Sequence, residues 1–245
     1  MKLLTLNIEG QRHYERVRAL LVAEQADVLC LQEVPEDLLP QLQALGYQVS
    51  KALRCVKAQD GERYNDYVVF ASKAPHEAQV YAYYEHSGEP DDVYDAELGR
   101  RHNHQVVVVG TVLVAGEEFV VATTHATWTP DGMPTPAQTQ DIAALVAYSA
   151  QLPPHILCGD MNIPRHKNKL YDTLCESYAD VVPAESKTSL DASHHRIMQD
   201  ATQAHIVDEF MVDYIFTQTP YVVSGVRQVF DVSDHAATVA EITRR

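Results

Sequence analysis

The pattern of apolar and polar residues along the chain predicts a protein built mainly from β-strands, with a few helices between them. Strands are indicated by short apolar runs that are rich in β-branched and aromatic residues. These runs are Lys2–Asn7, Asp27–Gln32, Tyr47–Lys51, Asp66–Ser72, Gln79–Tyr84, His104–Val114, Glu118–Thr124, His155–Gly159, Val212–Thr217, Tyr221–Phe230 and Ala237–Ile242. Helices are indicated where apolar residues recur every three or four positions. These segments are Tyr14–Glu24, Glu36–Leu45 and Thr135–Ser149.

The order of these elements predicts the fold class. Helices and strands alternate at the start, the middle is mostly β, and further strands follow the last helix. Such a mixture favours an α/β protein, a four-layer sandwich of two packed, mostly antiparallel mixed β-sheets flanked by helices. No repeat or linker divides the 245 residues, so a single domain, 1–245, is expected. The polar segments Glu85–Arg101 and Pro183–Val207 are expected to be irregular, and the second could line a site.

Composition narrows the class of protein. Hydrophobic residues make up 46% and charged residues 22%, as in ordinary globular chains. No apolar run approaches the ~18 residues of a membrane span, and the N-terminal apolar stretch is interrupted at Asn7 and Glu9, unlike a signal peptide. The four cysteines include no C-x-x-C pair, so no disulfide framework is expected. We therefore expect a cytoplasmic protein without a membrane span, and a monomer.

Polar side chains follow several buried strands. In Leu157–Pro164, an apolar strand ends in Asp160 and Asn162, which an extended chain points to the same side. A carboxylate beside an amide suits a metal–phosphate site, although an Asx turn would explain the pair equally well. Glu33 ends another such strand and could bind Mg²⁺ or simply begin a helix.

Further strand ends carry groups suited to acid–base chemistry. Asp234 precedes His235 near the last predicted strand, and Asp213 opens another strand, where its carboxylate could orient an imidazole. His125 directly follows the predicted strand Glu118–Thr124 and could bind a phosphate oxygen. Each of these residues taken alone is more often structural. Asn7 and Glu9 form a similar polar pair at the end of the first strand.

Taken together, the strings LNIEG, LQEV, TTHA, GDMN, VDYIF and SDH run in this order from residue 5 to residue 235. This series resembles the endonuclease/exonuclease/phosphatase superfamily, which includes deoxyribonucleases, abasic-site endonucleases, sphingomyelinases, inositol polyphosphate 5-phosphatases and deadenylases. The resemblance implies a hydrolase that cleaves phosphoester bonds, mainly phosphodiesters, by in-line attack of an activated water.

The resemblance also implies a cofactor, Mg²⁺ or Mn²⁺, and assigns its ligands. Glu33 would be the principal ligand, with Asn7 and Glu9 nearby. Asp234 would contribute to the metal environment or hold the neighbouring imidazole. Asn7 would belong to the catalytic groups as well.

Catalytic roles follow from the same resemblance. Asp160 would orient or deprotonate the attacking water, and Asn162 would contact the phosphate. His235, steered by Asp213, would stabilise the charge of the pentacovalent phosphorus. His125 would contact the phosphate, as in the deoxyribonuclease and sphingomyelinase branches.

The substrate is less well specified by the sequence. A formal net charge of −15 disfavours tight binding of long duplexes, whereas a small phosphate ester could still bind through a divalent cation. We expect a phosphate-ester substrate of modest size, with nucleic acid as the main alternative. The candidate substrate-binding residues are Arg101, Arg165 and Asp66. Asp66, or Asn65, could orient His125 from a neighbouring strand.

Two other classes remain open. The chain could be a catalytically silent binding module on the same scaffold, although the full set of site residues argues against it. It could also be a zinc hydrolase, but its remaining candidate histidines lack the H-E-x-x-H spacing. Those histidines are His102, His104, His194, His195 and His205.

Overall fold

The computed structural model describes residues 1–59, 62–85, 88–199 and 204–245. Its strands and α-helices are β1 Lys2–Asn7, α1 Tyr14–Glu24, β2 Val28–Pro35, α2 Leu39–Ala44, β3 Gln48–Gln59, β4 Glu62–Ser72, β5 His76–Ala82, β6 Tyr94–Asp95, β7 Arg100–Arg101, β8 Val106–Val114, β9 Glu117–His125, α3 Pro136–Ser149, β10 Ile156–Asp160, α4 Leu170–Cys175, β11 Ala179–Asp180, β12 Asp213–Thr217, β13 Tyr221–Val229 and β14 Ala237–Arg244. Short 3₁₀ turns lie at Glu36–Leu38, Arg196–Gln199 and Ala204–Asp208.

Two six-stranded sheets form the framework. One has the order β13-β14-β1-β2-β4-β3 and the other the order β11-β12-β10-β9-β8-β5, while β6 and β7 pair separately. β1 runs parallel to β2, and β9 runs parallel to β10. The remaining pairs of described strands are antiparallel. The predicted α/β class with two mixed, mostly antiparallel sheets is confirmed.

The core has three layers because alternate residues of each strand face opposite sides of its sheet. Leu3 of β1 lies between the sheets in one cluster with Phe70 and Ile156. Its neighbour Leu4 points the other way, into a cluster with Val17 of α1. A matching outer layer packs α3 against the second sheet. Full burial of each such side chain contributes about 1.5–3 kcal/mol, which holds the helices on the outer faces.

The element boundaries match the sequence prediction best where the apolar pattern is local. β1 and α1 have their predicted bounds, and α3 begins one residue after Thr135, whose side chain accepts a hydrogen bond from the N–H of Gln138. β3 extends to Gln59, well beyond its predicted end at Lys51. The added part, residues 52–59, mixes apolar residues with Arg54 and Lys57 and pairs along β4, so no regular apolar period marks it.

The two predicted irregular segments are only partly described. Residues 86–87 of the first and 200–203 of the second lie outside the described residues. The rest of the first contains β6 and β7, and the rest of the second contains two 3₁₀ turns. The short helix α4 was not predicted. Among the described residues, no helix is long and apolar enough to cross a bilayer.

Candidate active site

The ends of the parallel strand pairs from both sheets meet at one edge of the sandwich. In the second sheet, Asp160 of β10 lies opposite His125 of β9 on one side and Asp213 of β12 on the other. In the first sheet, Asn7 pairs with Gln32, the residue before Glu33. A cavity of about 280 Å³ opens over this edge and is lined from both sheets.

Asp160 is at the centre of the hydrogen bonds in this cavity. Nδ2 of Asn7 donates to its Oδ2 (3.1 Å), and the backbone N–H of Asn162 donates to its Oδ1 (2.9 Å). Burial raises the pKa of Asp160 to about 7, and the nearby charge of Asp213 adds to the shift. A carboxyl with a pKa near neutrality can change protonation during a reaction.

His235 forms a second centre, next to Asp160. Its Nδ1 lies 2.7 Å from Oδ2 of Asp213, and its Nε2 lies 3.9 Å from Oδ2 of Asp160. Burial, the largest single influence, acts to lower the pKa of His235, but the charges of Asp213, Asp234 and Asp160 together hold it well above its usual value. The imidazole is therefore a cation around neutral pH.

His125 differs from His235 in its protonation. Its Nε2 lies 3.4 Å from Oδ2 of Asp160 and its Nδ1 lies 3.9 Å from Oε1 of Glu33. Burial, helped by the charge of Arg54, holds the pKa of His125 well below its usual value. Nδ1 has no hydrogen-bond partner among the described residues. The site thus combines a neutral and a charged imidazole on either side of one carboxylate.

Glu33 is placed by a distortion of β2. The pairing of β2 with β4 shifts register between Leu31 and Val34, and Glu33 adopts a left-handed φ of 57°. Two other site residues share this strained backbone, Glu9 with φ 51° and Asn162 with φ 51°. Left-handed conformations are costly for residues other than glycine, and they concentrate at functional sites.

The carboxylate of Glu33 is held by cations from β3. Nζ of Lys57 bonds its Oε2, and the guanidinium of Arg54 lies 3.7 Å from its Oε1. Burial would raise the pKa of Glu33, but the charges of Lys57 and Arg54 outweigh it and hold the pKa well below its usual range. Glu33 is therefore ionised, as a metal ligand must be.

A hard divalent cation fits the oxygen groups around Glu33. Burial raises the pKa of Asp234 to about 7, with the charges of Glu9 and Glu33 adding to the shift against that of His235. These carboxylates thus repel one another, and a divalent ion would relieve that repulsion. Carboxylate and amide oxygens, which this set offers with Asn7, are what Mg²⁺ and Mn²⁺ prefer.

Comparison with known proteins is consistent with this geometry. The sequence matches the profile of the Endonuclease/Exonuclease/phosphatase family over residues 4–235. The chain belongs to the endonuclease/exonuclease/phosphatase family. This family includes phosphoesterases and nucleases. A search of curated proteins finds no match.

Solved structures of the endonuclease/exonuclease/phosphatase family share the fold over the whole chain. A family member from Bacteroides vulgatus has a TM-score of 0.70 at 16% identity, covering 100% of this chain and 98% of its own. The human Nocturnin catalytic domain with bound sulfate has a TM-score of 0.64 at 18% identity, covering 100% and 93%. A Bacteroides thetaiotaomicron mannosyl-6-phosphatase has a TM-score of 0.64 at 14% identity, covering 99% of each chain.

Most residues that the family resemblance singled out lie together at the cavity. They are Asn7, Glu9, Glu33, His125, Asp160, Asn162, Asp234 and His235, and Asp213 lies behind His235. Arg101 also lines the cavity. Its guanidinium lies 4.4 Å from the ring of Trp128 and 2.5 Å from a carboxylate oxygen of Asp92.

Two expected substrate-binding residues lie elsewhere. Arg165 is buried outside the cavity, and its guanidinium contacts Asp180 (2.5 Å) and the carbonyl of Pro183 (2.9 Å). These contacts commit it to the fold, so a substrate contact is not supported. Asp66 is fully buried and bonds Arg54 (2.9 Å) and Lys57 (2.9 Å), the cations beside Glu33. Its observed partners are these cations rather than His125.

The apolar residues of the cavity and the position of two cations beside Glu33 were not predicted from the sequence. Trp128, Phe210 and Leu190 also line the cavity. Trp128 is the sole tryptophan of the chain and follows His125 by three positions, which could have drawn attention to it. The cations Lys57 and Arg54 looked like ordinary surface residues because no pattern marks the second half of β3.

Proposed function

We propose that this protein is a Mg²⁺- or Mn²⁺-dependent phosphodiesterase that hydrolyses substrates of modest size by in-line attack of water. One observation carries the proposal. The carboxylate of Asp160 lies within 4 Å of Asn7, His125 and His235, next to the oxygen-rich group around Glu33. This is the combination that phosphoester hydrolysis needs: a base, a source of positive charge and metal-binding oxygens.

Asp160 is suited to orient and deprotonate the attacking water. Its raised pKa, about 7, makes it a stronger base than an ordinary carboxylate. The donors from Asn7 and the N–H of Asn162 fix the direction of its two oxygens. The side-chain amide of Asn162 is itself held, because its Nδ2 donates to the carbonyl of Ala126 (2.9 Å).

The two imidazoles act on the phosphoryl oxygens in different ways. His235 is charged and can donate a proton from Nε2 while Asp213 holds Nδ1. His125 is neutral and offers a hydrogen bond without bringing a second positive charge. Both imidazoles are buried, so their hydrogen bonds to a phosphate are little weakened by water.

Glu33, with Asn7, Glu9 and Asp234 nearby, would hold the divalent cation. That cation supplies neutralisation of a phosphoryl oxygen and lowers repulsion of the nucleophile. Lys57 bonds the same carboxylate and would compete with the cation for it, while its second partner Asp66, at 2.9 Å, holds the ammonium beside the cavity.

A nucleotide-containing substrate is the second candidate, and the wall of the cavity favours it. Trp128 offers an aromatic ring, and Arg101, whose charge is shared with Asp92, lies over that ring. Such a pair can accept a base and an adjacent phosphate. The net charge of −15 restricts this to a short strand or an end rather than a long duplex.

The test is a metal-supplemented screen of the full chain. Substrates are bis-p-nitrophenyl phosphate, DNA, RNA, phospholipids and inositol phosphates, with Mg²⁺ or Mn²⁺ added to metal-free protein. We expect turnover that Asp160→Asn and His235→Asn each abolish, while the exposed control Asp231→Asn retains it. Equal turnover in all variants would disprove the mechanism. Inactivity of the wild type on every substrate would favour the silent binding module.

A further inference from the structure

A second group of ligand-type side chains lies in the same cavity and shares only Asp234 with the oxygen set around Glu33. A ring nitrogen of His195, a carboxylate oxygen of Asp234 and a ring nitrogen of His235 all lie within 4.8 Å of one another. His195 comes from the segment before the 3₁₀ turn at Arg196–Gln199, whereas Asp234 and His235 precede β14. The three side chains thus reach one point from two distant parts of the sequence.

His235 is already oriented as a metal-bound histidine would be. Its Nδ1 is engaged with Asp213 at 2.7 Å, so its Nε2 is the nitrogen that faces the cavity. Metal-bound histidines commonly donate their other ring N–H to a carboxylate, which fixes the ring and increases its basicity. The ring of His195 lies 6.2 Å from that of His235, centroid to centroid, at 47°. The two rings are therefore tilted rather than stacked.

The donor set differs in kind from the oxygen set at Glu33. Two imidazoles and one carboxylate are typical ligands of Zn²⁺ and other borderline ions, whereas Mg²⁺ prefers oxygen ligands alone. Zn²⁺ bonds nitrogen and oxygen at about 2.0–2.2 Å. Small side-chain rotations would bring these three groups onto one ion, and water from the cavity could fill the fourth position.

We propose that His195, Asp234 and His235 bind a zinc-type cation, and that occupation of this site inhibits hydrolysis. The inhibitory effect rests on the proposed function, whereas the binding itself rests on geometry alone. A cation on Nε2 of His235 occupies the lone pair that carries the catalytic proton. It also draws Asp234 away from the oxygen set around Glu33. The cavity would then hold two sites with opposite effects.

Binding is tested with Co²⁺, which takes zinc sites and absorbs visible light according to its ligands. Metal-free full-length protein is titrated without Mg²⁺, because Asp234 belongs to both ligand sets and Mg²⁺ would compete for it. We expect one equivalent of Co²⁺ to give the absorption of a four-coordinate, imidazole-bound ion. His195→Gln should lose this absorption. Asp234→Asn should lose it as well, so the result does not depend on the folding of one variant alone. An unchanged spectrum in both variants would overturn the site.

A neighbouring histidine provides the matched control. His194 precedes His195 in sequence, but its Nε2 bonds the exposed Asp231 at 2.8 Å. His194→Gln should therefore keep the Co²⁺ spectrum of the wild type. Loss of the spectrum in this variant alone, with retention in His195→Gln, would assign the metal to other ligands and contradict the proposal.

Inhibition is tested in the Mg²⁺-driven assay. Zn²⁺ should inhibit the wild type and His194→Gln equally, while His195→Gln keeps its Mg²⁺-driven turnover and needs at least roughly tenfold more Zn²⁺. Equal sensitivity of all three proteins would mean that Zn²⁺ acts at Glu33, against the proposal. If the wild type hydrolyses no phosphoester, the proposed function fails, and the Co²⁺ spectrum still decides the site.

Discussion

Nδ1 of His235 lies 2.7 Å from Oδ2 of Asp213 in the interior of the protein. Asp213 is the first residue of β12 and lies directly opposite Asp160 of β10. Asp213, which contacts the imidazole, and Asp160, which we propose to orient the attacking water, are therefore fixed by the same pair of strands. Their spacing depends on backbone register rather than on flexible loops.

Asp213→Asn is expected to lower kcat by about 100-fold or more, because the amide no longer stabilises the charged imidazole. The charge of Asp213 helps to hold the pKa of His235 above its usual value. Without it the pKa falls, and the protonated form is lost at lower pH. The alkaline limb of the pH–rate profile should therefore move to lower pH.

The exposed pair of Asp231 and His194 gives the control. Nε2 of His194 lies 2.8 Å from Oδ1 of Asp231, so the contact is of similar length, but the pair lies outside the cavity. Asp231→Asn should leave the profile unchanged. An identical alkaline limb in Asp213→Asn and the wild type would contradict the assigned role of His235.

Asp160→Asn should inactivate the protein and also stabilise its metal-free form above pH 7. The folded-state pKa of Asp160, about 7, lies above its ordinary value of 3.8. Stability from this group is thus fully present below pH 3.8 and is lost as the pH rises through 7. The amide avoids that loss, which is on the order of 4 kcal/mol for a pKa raised from 3.8 to about 7.

Thermal denaturation with chelator at pH 5 and pH 8 measures this effect. The advantage of Asp160→Asn over the wild type should be larger at pH 8. Asp172→Asn, at an exposed position on α4, should show no such pH dependence. A variant advantage that is larger at pH 5 would show that burial does not dominate the protonation of Asp160.

Glu33→Gln is expected to abolish stabilisation by Mg²⁺. A ligand that binds only the folded state raises stability, by about 2.7 kcal/mol at a concentration 100 times its Kd. Mg²⁺ should therefore raise the Tm of the wild type and leave that of Glu33→Gln unchanged. An equal rise in both proteins would place the cation elsewhere.

Lys57→Met should have the opposite effect on metal affinity. The ammonium of Lys57 bonds Oε2 of Glu33 and competes with a cation for that oxygen. Its removal should tighten Mg²⁺ binding by roughly tenfold, the equivalent of about 1.4 kcal/mol. Calorimetric titration measures the affinity. Lys51→Met, which removes a pair with Glu36 instead, is the control. Weaker binding in Lys57→Met would show that the ammonium supports the site rather than competes.

Gly159→Ala is expected to destabilise the protein severely. A Cβ at this position would lie 2.1 Å from the carbonyl oxygen of Thr124, and φ is +129°. Gly116→Ala, at a hairpin turn with φ +85° and open space around it, separates backbone strain from the clash. Denaturant unfolding should show a loss of about 1–3 kcal/mol for Gly116→Ala and a clearly larger loss for Gly159→Ala. Equal losses would mean that β10 can move away from β9.

The sequence predicted the parts of this molecule that depend on local pattern. β1 and α1 match their predicted bounds because apolar spacing marks both ends. The site strings could be found because each places polar residues next to the end or the start of a strand. The sequence did not reveal that β3 continues past Lys51, since Arg54 and Lys57 interrupt its apolar residues and its partner residues are set by distant pairing. The closeness of Lys57 to Glu33 follows only from that pairing.

The bulge at Glu33 was also invisible in the sequence. Its register shift depends on how β2 aligns with β4, and nothing in LQEV marks a left-handed residue. Trp128 was overlooked for another reason. A single aromatic residue after a strand has many explanations. Trp128 becomes informative only once the structure shows that Arg101 stacks on its ring and that both residues line the cavity.

The left-handed backbone at Glu9, Glu33 and Asn162 has a consequence for engineering. A left-handed backbone costs a residue other than glycine about 1–3 kcal/mol. Replacement by glycine could recover part of that cost at each of these positions. A library screened only for heat resistance would thus enrich glycine at three residues of the proposed active site. Directed evolution of this chain therefore needs an activity assay in every round, because selection for stability alone would favour stable but inactive variants.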